Sequence, residues 1–489
     1  MPKFMIDSLP VLNAVETART RIDTNRQSRL ERMPNEIKLM ITSWIQHSVS
    51  IFNLALSGPE FCALIVTHEK KIVLNVITWY IPAEIMHLAV GIHMVTTAPW
   101  NVRNAGPITP GRPIPPAYMD SIVNFVEKYR RAEDLTLQKH HPEGLALSQL
   151  GRYLNMHNAT RHYAKLLATH AKGRVPGNLG LGFEISPTVL FRYMRTLYVM
   201  QLVTELFSWR GGDRIIPQRM HLAWGTFWFS FYPWEIEQVF CVQKLLERYI
   251  ATVVCVQATV QGRINDMKSL ISCYVVSQGP SRLWSLEMAE VKAKAKGQQT
   301  GPLLATSFRR FLQHPFREFI TMGFCAPGFG MKVLMPRIGQ RMRSSTFDDV
   351  DLGPMKFWYY ITLSGEGGEA LFPRIAPSLF FDMRALVYSG YALWDEVDPI
   401  RLKLPPLSDM HARVAGAVEM AAQKPPLAPT GRVIPLVFRM IEPRQVVGLR
   451  RPPPYLPPPN EYCYLTLPEV LSEEAEKARS LPDVGPQPL

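Results

Sequence analysis

Catalytic and metal-binding signatures are missing from this 489-residue chain. It has no H-E-x-x-H, no G-x-x-x-x-G-K-S/T, no G-x-S-x-G and no zinc-type Cys/His spacing. Those absences remove the usual starting points for metal-assisted hydrolysis, phosphoryl transfer and acyl transfer. No catalytic residue, metal or cofactor is therefore expected. Cysteine is sparse as well. Cys62, Cys241, Cys255, Cys273, Cys325 and Cys463 are scattered without a C-x-x-C pair, so neither a zinc site nor a disulfide framework is indicated. Reduced thiols in cytosol or nucleus are the expectation.

Long uninterrupted apolar runs are also lacking. The opening MPKFMIDSLPVL is broken by Asp7 and Pro10, so no secretory signal is expected. Ile72–Val95 carries Asn75, Pro82, Glu84 and His87, and Pro187–Phe207 carries Arg192, Arg195 and Glu205. Each mid-bilayer charge costs about 2.5–3.5 kcal/mol, so both windows are read as buried helices, not membrane spans. Strand-like alternation is scarce, with Phe357–Leu363 the one short candidate. No repeat with a period of 20–50 residues points to a solenoid.

What is present is helix. Hydrophobic residues at 47% against 19% charged suit a packed chain, and its length calls for two or three units. In Pro187–Trp209 the residues Tyr193, Leu197, Met200, Val203 and Phe207 share one face, with Ser186 as N-cap and Gly211-Gly212 as a stop. Pro233 opens a second long helix with the stripe Ile236, Val239, Phe240, Leu246, Tyr249, Ile250 and Val253. Further helices are expected at Ala117–Leu135, Leu145–Ala171, Ser307–Thr321 and Pro468–Leu481, the last behind the capping box Thr466-x-x-Glu469. Residues 322–425, rich in Gly and Pro, are expected to be irregular.

The expected fold is thus mainly α: a short N-terminal three-helix segment packed on a larger irregular helical body, with a proline-rich C-terminal tail. The layout is a flexible 1–25, a helical segment 26–100, a proline-rich linker 101–116 and a helical body 117–290. A basic, Gly/Pro-rich region 291–423 with few regular elements and a tail 424–489 with a terminal helix complete it. The linker and tail follow the clustering of the 42 prolines at 107–116 and 425–459.

Residues 30–80 read as a string of short helices. Pro34 suits a first helical position and Ile37, Met40, Ile41 and Trp44 make one apolar face. Ser50 caps a second helix with Ile51, Leu54 and Ala55, which Gly58-Pro59 ends, and Phe61, Leu64, Ile65 and His68 mark a third. Helices this short leave apolar surface that either the rest of the chain or another protein must cover.

The run LERMPNEIKLMITSWIQHSVSIFNLALSGPEF resembles an F-box, with Met33-Pro34 for the Leu-Pro pair, Glu36 for the acidic position, and Phe61 where many F-boxes carry tryptophan. The phrases Pro82-Ala83-Glu84-Ile85, Pro233-Trp234-Glu235-Ile236-Glu237-Gln238 and Gly390-Tyr391-Ala392-Leu393-Trp394-Asp395-Glu396 are similar to F-box-like proteins of filamentous fungi. The resemblance implies docking to the adaptor subunit of a cullin-based ubiquitin ligase through Met33, Pro34, Ile37, Ile41, Ile51 and Leu54. It also implies an unknown protein target held by the rest of the chain. The other reading makes the same residues ordinary core of a non-catalytic helical scaffold.

The remaining features point to binding or to structure. Net charge is +13, which favours anionic partners. Ten basic residues between Glu290 and Arg343 (Lys292, Lys294, Lys296, Arg309, Arg310, Arg317, Lys332, Arg337, Arg341 and Arg343) face only Glu290 and Glu318. They are read as a solvated face with no nucleic-acid module beside it, against the alternative of an anion-facing surface. His157 continues the face of Leu147, Leu150 and Leu154 and is expected to be a core histidine, not a metal ligand. Asn158-Ala159-Thr160 has the glycosylation pattern and is expected to stay unmodified. In the tail, Arg451, Pro452, Pro453, Pro454, Tyr455 and Pro457 combine the ligand patterns of WW and Src-homology-3 domains. The alternative there is a semi-rigid spacer.

Overall fold

The computed structural model describes residues 28–30, 32–45, 48–101, 104, 116–130, 146–172, 185–210, 223–224, 226–228, 230–258, 276–297, 319–321, 354 and 390–394. They form a mainly α-helical fold. In chain order the helices are α1 Asn35–Trp44, α2 Ser48–Ser57, α3 Pro59–Thr67, α4 Glu69–Tyr80, α5 Ala83–Thr97, α6 Pro116–Arg130, α7 Leu147–Lys172, α8 Pro187–Leu206, α9 Pro233–Ala258 and α10 Pro280–Ala295. Two three-residue strands, β1 Ser208–Arg210 and β2 Phe319–Thr321, and a 3-10 turn at Tyr391–Leu393 complete the described elements. Phe357–Leu363, Pro468–Leu481 and the tail motif at 451–457 lie outside the described residues.

The chain divides into two units, residues 1–94 with 131–159 and residues 95–130 with 160–489. The first is built from short helices because its sequence keeps interrupting them. Gly58, extended at φ −174°, and Pro59 at the first helical position separate α2 from α3. Ile81-Pro82 separates α4 from α5. Ile51, Phe61, Ile65, Ile72, Val73, Ile77, Ile85 and Leu88 are buried between them. The unit reaches beyond the expected 26–100 segment by taking in the start of α7. There the Leu147 N–H donates to Glu69 Oε1 at 2.6 Å, capping α7 from the first residue of α4. His93 lies 4.8 Å from Tyr153 and Tyr80 meets the buried His157 edge-on at 6.5 Å.

The second unit is organised around α8. Its expected face of Tyr193, Leu197, Met200, Val203 and Phe207 is buried, and so are Arg192, Thr196, Gln201, Thr204 and Glu205, which makes it a central helix covered on all sides. Buried polar groups need partners, and they have them. The hydroxyls of Thr196 and Thr204 donate to the carbonyls of Arg192 and Met200. Gln201 Nε2 donates to Glu205 Oε1 while its own Oε1 accepts the Ser281 N–H. The Ser186 side chain accepts from the Val189 N–H at 3.1 Å, as expected of its N-cap position, a bond that contributes about 1 kcal/mol.

Two sequence expectations need correction here. The helix expected through Trp209 ends at Leu206, because Ser208–Arg210 leaves to pair antiparallel with Phe319–Thr321 in the register Ser208↔Thr321, Trp209↔Ile320 and Arg210↔Phe319. The helix expected over Ser307–Thr321 accordingly gives way to strand at 319–321, where aromatic and β-branched residues meet a partner strand. Residues 307–318 are outside the described set.

The segment Gly390–Trp394 is held between α8 and α9. Arg192 Nη1 donates to the Leu393 carbonyl and Gln238 Nε2 to the Ala392 carbonyl, each at 3.0 Å. Ala392, Leu393 and Trp394 are buried there. An aromatic group made by Phe207, Trp224, Phe227, Trp228 and Phe231, with ring centroids 5.1–6.3 Å apart in tilted and edge-on pairs, fills another part of the same core.

Candidate protein-binding surface

Helix α1 is turned over relative to an ordinary surface helix. Its buried residues are Lys38 and Thr42, while the apolar stripe looks outward. Lys38 Nζ sits 3.5 Å from Glu60 Oε2 of α3, and the Thr42 hydroxyl donates to the Lys38 carbonyl at 2.8 Å. These contacts allow polar side chains to occupy the inner face. On the outer face Ile37 is 39%, Met40 52% and Trp44 74% exposed, and Leu30 and Met33 continue the exposure just before the helix. Within α1 the spacing Ile37, Met40, Trp44 runs three-four, the spacing of a seam that packs on another helix.

Helix α4 extends this surface. Trp79, 64% exposed, stands across a cleft of about 40 Å³ from Trp44, and Ser43, Ile45, Asn75 and Val76 complete the lining. An indole exposed to that degree is unusual on a monomer, and two beside one cleft form a contiguous apolar patch.

The six residues expected to contact a ligase adaptor do not behave alike. Met33, Pro34 and Ile37 are exposed, and Ile41 and Leu54 are half-buried. Ile51 is fully buried, as are Phe61 and Ile65 of α3. Met40 and Trp44 belong to the apolar face read from the sequence. Trp79 lies in the apolar run Ile72–Tyr80, whose pattern gives no sign of which side faces out.

A partly buried polar cluster lies in the second unit. The hydroxyls of Tyr163 of α7 and Tyr249 of α9 face Glu287 of α10. His162 Nε2 lies 3.8 Å from it, with the imidazole 4.8 Å from the Trp284 ring. Burial raises the Glu287 pKa above the ordinary carboxylate value, and Glu290 adds to the rise while the two hydroxyls oppose it. Burial lowers the His162 pKa and raises that of Tyr249 to about 12. Thr160 of the glycosylation pattern is buried inside α7. Lys292, Lys294 and Lys296 are exposed at the end of α10, where Lys294 pairs with Glu290 at 2.9 Å. Among the described residues no group of three or more His, Cys, Asp or Glu side chains is placed to hold a metal ion, and no helix is long and apolar enough to cross a membrane.

Comparison of the chain with protein-family models, with curated proteins and with solved structures finds no match. The fold and the surface themselves define a mainly α-helical protein whose first described helix presents an apolar face outward.

Proposed function

We propose that the N-terminal helices are a docking module of F-box-like type, which binds the adaptor subunit of a cullin-based ubiquitin ligase, while the rest of the chain holds a protein target. The observation that carries this reading is the orientation of α1. A helix that buries a lysine and leaves Ile37, Met40 and Trp44 in water has its favourable burial still to come. The Met33-Pro34 pair and Glu36, on which the resemblance rests, are exposed beside that face. The protein acts in this reading without catalysing a step itself, in cytosol or nucleus where such ligases work.

A scaffold in which the F-box-like segment is only core is favoured at one position, Ile51. Titrating the purified full chain with purified ligase adaptor separates the two. Ile37→Asp is expected to abolish binding, since an unpaired charge at the centre of an interface costs about 3–5 kcal/mol, and to leave the helical circular dichroism unchanged. No binding by the wild-type chain would remove the ligase from the reading.

A further inference from the structure

We infer that the outward face of α1, with Trp79 beside it, is the surface through which two copies of the chain associate, α1 of one copy lying antiparallel on α1 of the other. This goes beyond the docking reading and does not rest on it, because it needs only the geometry of the face. Three observations point to a second copy as the occupant.

The first is area. Trp44 at 74% and Trp79 at 64% exposure leave roughly 300 Å² of indole in view. The partly exposed Leu30, Met33, Ile37 and Met40 bring the patch to about 600 Å², near the ~800 Å² that each partner contributes to a stable interface. The second is periodicity. Within α1 the spacing Ile37, Met40, Trp44 gives a narrow seam two turns long, which is the form that packs against one further helix. An antiparallel two-fold centred between Met40 and Ile41 places Trp44 opposite Ile37 and each Met40 beside its own copy, so the same patch serves on both sides as a closed dimer requires.

The third is charge. Two copies of a charged patch repel, but Lys38 is turned inward and Glu36 is the exposed charged residue of α1. In the antiparallel arrangement the two Glu36 carboxylates stand at opposite ends of the seam, so no like charges meet. Pairing covers the face on which a ligase adaptor is proposed to dock, which makes the two events mutually exclusive.

Sedimentation of the purified full chain across micromolar concentrations tests this. The expected result is a mass that rises from one chain to two with concentration in the wild type. Complete loss of the dimer is expected in Trp44→Glu and in Met40→Glu, each with wild-type circular dichroism. Val291→Glu, at an exposed position of the second unit, is expected to dimerise as the wild type does. Added ligase adaptor reports on the other reading separately, since a dimer that ignores the adaptor supports pairing and removes only the ligase. A wild-type chain that stays monomeric throughout, or α1 variants that dimerise as tightly as the wild type, would overturn the inference.

Discussion

At Gly390 the backbone turns with φ +68°, and a β-carbon added there would stand 2.5 Å from the Tyr193 hydroxyl oxygen. Both the left-handed conformation and the close approach require glycine. Gly390→Ala is therefore expected to lower stability by about 2 kcal/mol, read as a drop in the urea midpoint, and Tyr193→Phe in the same chain is expected to recover part of it. Glu287 sets a pH dependence whose sign follows from its raised pKa. The folded state holds the proton more tightly than the unfolded one, so this group's contribution is fully present below the ordinary carboxylate pKa and is lost as pH rises through the raised value. Denaturation of wild type and Glu287→Gln over mildly acidic to neutral pH is expected to give a stability difference that moves in the variant's favour as pH rises. A difference that is flat with pH would mean that the carboxylate titrates as it does in water.

At the scale of elements, α1 and α2 make contrasting predictions from similar sequences. Ile37→Asp on the outer face is expected to leave thermal unfolding within about 0.5 kcal/mol of wild type, whereas Ile51→Asp buries an unpaired charge and is expected to cost several kcal/mol. Ser186→Ala at the head of α8 is expected to cost about 1 kcal/mol. Helix positions were legible because proline, glycine and a 3.6-residue period act locally, and the stretches expected at 187–209, 145–171 and 34–68 are helical over most of their length. Orientation was less legible. Periodicity identified the stripe Ile37, Met40, Ile41 and Trp44 but is the same for a stripe facing core or solvent. The side turned inward is fixed by Glu60 reaching Lys38 from another helix. The strand at 319–321 was missed for a related reason, since its partner lies more than a hundred residues earlier in the chain.

At the scale of the molecule, a chain without a catalytic motif has become two units, neither of them contiguous in sequence. The first gathers residues up to 94 and then 131–159, and the short helices within it are legible where its return through α7 is not. The strap at Gly390–Trp394 has a consequence for how the protein is made. Arg192 and Gln238 are buried, and their hydrogen-bond acceptors are carbonyls that emerge from the ribosome long after α8 and α9. At ordinary rates of synthesis that interval is on the order of ten seconds. Throughout it the slot that Ala392, Leu393 and Trp394 fill in the finished fold stands open. Synthesis of this protein thus includes a vulnerable period in which chaperones and proteases compete for an unfinished core. A chain truncated before Gly390 is expected to remain in that state, co-purifying with holdases and falling to limited proteolysis where the full chain resists.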